Sequence, residues 1–198
     1  MRQFVVVGHE VPVDASISLD DLAGGAGRLD LLARSVTAGL VLSHGLREDV
    51  RVHLVCGDAF TVTVDGRTVR NLNPDERSTA ALIRDALAAR AEAIGHQPAE
   101  SSPGVEIRRF GFAGAIDWLG DRGTIVHLHE DGQPIVDWEP PTDPVFVLSD
   151  HRDFTAEELD VLGDAAADRI RLGPRPIHAD HAITVAHNYL DTDGYGRY

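Results

Sequence analysis

The sequence predicts an α/β fold, a mostly parallel sheet with helices on both faces, formed as one domain over residues 1–198. Three observations carry that prediction. Runs such as Phe4–Val7, Val50–Cys56 and Val145–Leu148 are short and mostly apolar, as strands covered on both faces must be. Between the strand runs lie segments whose apolar residues recur every three or four positions. The composition is that of a folded domain, 43% hydrophobic and 25% charged, with no apolar run long enough to cross a membrane.

In chain order, Phe4–Val7 reads as a buried strand ended by Gly8, and residues 12–27 as a loop punctuated by Gly24, Gly25 and Gly27. Residues 29–46 have helical periodicity through Leu31, Leu32, Val36, Leu40 and Leu42. Residues 50–56 and 61–64 are strands, and Asp65-Gly66 marks a hairpin turn into residues 68–70. Residues 74–93 form a helix, with Asn73 suited to the cap, Pro74 to the first position and Gly95 to the end. Residues 105–109 are a strand, 111–119 a short helix and 124–128 a strand. Asp131-Gly132 then turns the chain into 135–138, and Pro140, Pro141 and Pro144 fill a connector. After the strand at 145–148, Thr155 and Glu158 make a capping box for a helix over 155–163. A strand at 169–172 and a helix at 178–190 complete the chain.

Charge is the unusual property. Acidic residues number 32 against 18 basic ones, a formal net charge of −14, and all the basic residues are arginine. GC-rich coding produces such a composition, and so does a salt-loaded cytoplasm, where an acidic surface stays hydrated while salt screens its self-repulsion. Either way, an acidic chain argues against non-specific nucleic-acid binding, which needs clustered positive charge. A single cysteine, Cys56, forms no internal disulfide, and the N-terminus reads as a first strand, so a cytoplasmic location is expected.

Several residues invite a chemical reading. Gly24-Gly25-Ala26-Gly27 lacks both the P-loop and the dinucleotide-binding spacing, and reads as a tight turn. Arg28, Asp30 and Arg34 fall at helical spacing and can share one face. His127 and His129 alternate on a strand, while His178, His181 and His187 lie on the last helix. None matches a zinc spacing, and no metal is expected. Ser149, Asp150 and His151 are adjacent and lack the G-x-S-x-G elbow of a hydrolase. The most informative pattern is three turns, each after a short strand: residues 128–132, 148–151 and 172–174. Ligands of open α/β sheets collect at such strand ends.

The ordered motifs of the second half resemble the end of the SPOUT methyltransferases. They are Asp150-His151 with Phe154 after an apolar strand, Arg171-Leu172-Gly173-Pro174, and His178-Ala179-Asp180-His181-Ala182-Ile183-Thr184 followed by His187-Asn188. Gly27-Arg28-Leu29-Asp30, Leu42-Ser43-His44, Asn73-Pro74-Asp75-Glu76-Arg77-Ser78 and Pro103-Gly104-Val105 extend the likeness over nearly the whole chain. Within that superfamily it is similar to the archaeal enzymes that methylate N1 of pseudouridine 54 in tRNA.

The resemblance implies a C-terminal trefoil knot over about residues 124–191, a homodimer, and S-adenosylmethionine held mainly by backbone at Leu128, Leu148, Ser149, Asp150, Leu172, Gly173, His181 and Ala182. Ser149 and Ala182 stand where the family often has glycine and cysteine, exchanges that backbone contacts survive. It further implies a pseudouridine-containing tRNA substrate, Arg28, Arg34 and Arg77 as RNA contacts, and Asp30 as a catalytic, substrate-orienting group. These arginines are expected to form a local positive patch on an acidic surface. Two alternatives stay open: N1-methylation of pseudouridine in ribosomal RNA, and a non-catalytic RNA-binding or ribosome-assembly protein.

Overall fold

The computed structural model describes residues 1–14 and 16–198; Ala15, within the loop read at 12–27, lies outside them. The elements run β1 (Arg2–Gly8), α1 (Leu29–Leu40), β2 (Val41–Leu42), β3 (Gly45–Leu46), β4 (Val50–Cys56), β5 (Phe60–Asp65), α2 (Glu76–Ala88), β6 (Ala99–Ser102), β7 (Val105–Arg108), α3 (Phe112–Gly120), β8 (Thr124–Pro134), β9 (Pro144–Ser149), α4 (Ala156–Ala165), β10 (Asp168–Arg171) and α5 (Ala179–Asp191). Eight strands form one sheet in the order β10-β8-β9-β1-β4-β5-β7-β6. From β10 to β4 every pairing is parallel, and from β4 to β6 every pairing is antiparallel.

β1 lies inside the parallel half, paired with β9 on one side and β4 on the other. Its alternation divides the core. Phe4 and Val6 face α1, α2 and α5, while Val5 and Val7 face α3 and α4. Phe4 is fully buried, stacks on Phe146 with ring centroids 5.3 Å apart, and meets the edge of His187 on α5. Strands buried on both faces explain why the sequence pattern of β1, β4 and β9 is continuously apolar.

The structure departs from the sequence reading at definable places. The helix read at 29–46 stops at Leu40. Val41 is extended there, and β2 and β3 form a two-residue hairpin closed by Gly45 at φ 142, a region only glycine occupies readily. Residues 68–70 are not a strand, because the Asp65 carbonyl accepts from the Thr68 and Val69 amides and curls the chain. Asp75, not Asn73, caps α2 by accepting from the Ser78 amide at 2.8 Å, and the helix proper ends at Ala88 before a 3-10 turn over residues 89–92. Ile135–Asp137 is a 3-10 turn rather than a strand. β6 escaped notice because its Glu-Ser-Ser stretch is a polar edge strand paired only with β7.

One turn sets the start of α1. Gly27 and Arg28 are both left-handed, at φ 58 and 64, and a Cβ on Gly27 would lie 1.9 Å from the Glu10 carbonyl oxygen. The loop before α1 therefore closes against the end of β1 only with glycine at position 27. Gly27→Ala is expected to destabilise the fold by about 2 to 4 kcal/mol in denaturant titrations, through backbone strain and this clash; an unchanged midpoint would show that the loop re-forms freely.

Candidate functional site

At the carboxyl ends of β8, β9 and β10 the sheet opens into a cavity of about 400 Å³. Its first wall comes from a break in register. Arg169 opposes His127, but Ile170 opposes Gln133, so residues 128–132 leave the ladder and bulge outward. Gly132 permits the return, since a Cβ there would lie 2.4 Å from the Ile170 backbone. What reads in sequence as an Asp131-Gly132 turn is this bulge within one long strand. The second wall is the segment after β9 and the third the chain from β10 into α5.

Of the eight residues assigned to the cofactor by resemblance, Leu128, Leu148, Ser149 and Asp150 line the cavity, as do Leu172, Gly173 and Ala182. His181 does not. Its side chain is 68% exposed and lies 3.9 Å from the Asp180 carboxylate. The side chains of the middle wall are already committed: the Ser149 hydroxyl donates to the Arg152 carbonyl, and Asp150 is fully buried with both oxygens bonded. These two residues thus present backbone rather than side-chain groups to a ligand. The backbone at Gly173 is open, with nothing within 4 Å of a built Cβ. Phe154 and Ala179 add apolar surface.

His9 fastens the middle wall. It follows β1, and its ring bridges Asp150 at 3.0 Å and Glu158 at 3.0 Å, while its amide donates to Asp150 at 2.9 Å. The bond to Asp150 is the main reason that its pKa rises to about 9, against the opposing effect of burial. Glu158 is also the α4 capping-box residue, its carboxylate accepting from the Thr155 amide at 2.7 Å. One imidazolium therefore joins β1, the loop after β9 and the start of α4. His9 was not singled out in sequence, although its place directly after a buried strand and Gly8 was the available signal; Glu158 was read only as a cap.

The arginines assigned to RNA gather near α1 and are charge-compensated. Arg28 grips Asp30 with two bonds of 2.9 and 3.0 Å, and Arg34 adds a third at 3.1 Å. Burial raises the Asp30 pKa, but these bonds outweigh it and hold the carboxyl below its usual range. Arg34 also reaches Asp180 of α5 at 3.3 Å and Glu76 of α2 at 3.5 Å, and Arg77 pairs with Asp20. The expected positive patch around Arg28, Arg34 and Arg77 is instead a mixed cluster, because each guanidinium already holds a carboxylate. Asp180 begins α5 beside the cavity residues Ala179 and Ala182, so the cluster abuts the cavity wall.

Two further histidines, His127 and His187, are structural. His127 is buried against Phe154 and its pKa falls to about 4, and His187 bridges Arg2 and the Gly39 carbonyl. No group of three potential metal-binding side chains occurs among the described residues. Cys56 is buried, which pushes its thiol to about 12. A second hollow of about 330 Å³ lies between Trp138 and Tyr189, rimmed by Asp137, Glu139 and Asp193.

His9 gives the site a pH signature. Its folded pKa, about 9, exceeds the ordinary 6.5, so its stabilisation is complete below pH 6.5 and is lost as pH rises through 9. Asp150 is shifted down, so its contribution is lost only on acidification. His9→Gln is expected to cost about 2 kcal/mol near pH 6 and to flatten the pH dependence of the denaturation midpoint between 6.5 and 9. Parallel curves for the two proteins would contradict the bridge.

Comparison with known proteins adds three findings. The family model described as SAM-dependent RNA methyltransferase matches residues 1–195. The tRNA (pseudouridine(54)-N(1))-methyltransferases of Haloarcula marismortui and Haloferax volcanii are each 63% identical over 198 residues, covering 100% of both chains. The crystal structure of Archaeoglobus fulgidus Nep1 bound to S-adenosylhomocysteine aligns with TM-score 0.59 at 13% identity, over 98% of this chain and 99% of that one, a likeness of fold.

Proposed function

The chain belongs to the SAM-dependent RNA methyltransferase family, and from that premise we propose that it methylates N1 of pseudouridine 54 in the T-loop of tRNA. The observation that carries the substrate assignment is end-to-end identity of 63% with two enzymes bearing that name. A SPOUT fold agrees with the structural likeness, and its C-terminal trefoil knot over residues 124–191 belongs to the same proposal.

The cavity suits S-adenosylmethionine. Its volume falls within the usual range of small-molecule sites, roughly 300–1,000 Å³. Leu128, Leu148 and Leu172 offer apolar surface to an adenine, and the backbone at 148–150 and 172–173 supplies donors and acceptors. Glu130 and Asp153 line the cavity without an arginine within 4 Å, which leaves their charge for the sulfonium and ammonium groups. When bound, the cofactor would supply a methyl group on its sulfonium sulfur, with S-adenosylhomocysteine as the leaving group and the N1 proton passing to solvent.

Positioning supplies most of such a displacement, and the walls do that work. His9 fixes the middle wall through Asp150 and Glu158. Arg28, Arg34 and Arg77 hold the RNA at the mouth of the site. Asp30, with both oxygens bonded to arginine, orients Arg28 and Arg34; an acidic carboxyl so engaged is a weak base, and its place in the reaction is orientation. The protein acts as a homodimer in the cytoplasm, an assignment supported by the resemblance to SPOUT enzymes and by a tRNA substrate; no helix among the described residues is long and apolar enough to cross a membrane. The lysine-free, acidic composition fits a salt-loaded cell.

The test is nucleoside mass spectrometry of tRNA incubated with the protein and S-adenosylmethionine at high salt. N1-methylpseudouridine is expected at position 54 only in tRNA that already carries pseudouridine there. Product confined to pseudouridine-containing ribosomal RNA fragments, or no product at all, would overturn the assignment.

A further inference from the structure

About half of the eighteen arginines hold a carboxylate within 4 Å, including Arg28, Arg34, Arg77 and Arg152. The other half have no such partner among the described residues, so in a chain of net charge −14 the feature to explain is a place where unpaired arginines cluster. Among the described residues, Arg169, Arg171 and Arg175 are exposed, have no carboxylate partner and stand together at the cavity. Arg171 and Arg175 line it directly. Arg169, two positions before Arg171 on β10, shares its face of the strand and reaches His129, another lining residue, at 2.7 Å. β10 is the last strand of the sheet, so among the described residues no further strand pairs with its outer edge.

The bonds these side chains do make leave their charge available. Arg171 donates to the neutral Gly132 carbonyl at 3.1 Å, and Arg169 donates to His129 Nδ1. That nitrogen also accepts from the Asp131 amide at 3.1 Å, so it carries no proton, and the ring's remaining donor is Nε2–H. The nearby acids are Glu130, Asp131 and Asp153. Asp131 is 78% exposed, and its carboxylate lies 3.9 Å from the His129 ring.

We propose that Arg169, Arg171 and Arg175, with His129, form a phosphate-binding rim that draws the RNA backbone flanking the target nucleotide against the cofactor cavity. This rests on the RNA-methyltransferase reading above and names the substrate contacts of that site. Three guanidiniums beside one cavity match a phosphodiester chain, since each offers a planar fork for two phosphate oxygens. The carboxylate-bound cluster at Arg28 and Arg34 lacks that free charge. It serves orientation, while the rim supplies attraction.

The experiment compares the full-length protein with the Arg169→Ala/Arg171→Ala/Arg175→Ala variant. Affinity for pseudouridine-containing tRNA is measured over a KCl series in which both stay folded, beside affinity for S-adenosylhomocysteine. The variant is expected to bind tRNA at least ten-fold more weakly, with the salt slope reduced by roughly two to three phosphate contacts, and with a smaller change in S-adenosylhomocysteine affinity. Arg→Lys at the three positions should recover most of the salt slope but only part of the affinity. Equal tRNA binding by both proteins would overturn the proposal and leave the arginines as guards of an exposed sheet edge. An equal loss of tRNA and S-adenosylhomocysteine affinity would overturn it too, since the residues would then shape the cavity. Failure of the unaltered protein to bind tRNA would instead strike the functional reading on which the proposal rests.

Discussion

A protonated imidazole between two buried carboxylates is the interaction on which the site depends. The parallel half of the sheet brings the ends of β1, β8, β9 and β10 to one side, but strand ends alone do not shape a cavity. The segment after β9 must be fixed, and His9 does so from the neighbouring strand β1. It satisfies Asp150, which would otherwise be a buried, uncompensated charge, and it engages the Glu158 carboxylate that also caps α4. Two negative charges are thereby fixed in a molecule already rich in them. The cost of burying them is offset because one cation serves both, and because backbone amides from His9, Arg152 and Thr155 complete the set.

Net charge describes the solvent more than the partner. Most of the acidic surplus faces water, whereas the sites of interest are locally balanced. Asp30 is wrapped by Arg28 and Arg34, Glu10 takes Arg152, and Asp191 takes Arg2 and Arg47. Recognition of RNA by such a surface cannot lean on diffuse attraction, which salt removes. It relies on shape and on placed, bidentate groups, and arginine provides these where lysine would not.

Much of this was legible in the sequence because burial writes a strong pattern. The apolar runs of β1, β4 and β9 and the capping box at Thr155 and Glu158 needed no tertiary context. The three strand-end turns located the cavity, and seven of the eight residues expected at the cofactor line it. What escaped depends on distant partners. The stop of α1 at Leu40 is made by a two-residue hairpin, and the break in β8 exists only because Gly132 returns against Ile170. His9 is bonded to residues 141 and 149 positions away, a link no local window contains. The charge compensation of Arg34 likewise joins three helices that are separate in sequence.

We propose that the cofactor binds at the three strand-end segments, the middle one held by His9. Amide hydrogen exchange with and without S-adenosylhomocysteine tests it most directly. Protection on binding is expected at residues 128–132, 148–152 and 172–179, with His9→Gln weakening it chiefly in the middle segment. Protection that appeared instead around Trp138 and Tyr189, at the second hollow, would contradict the account.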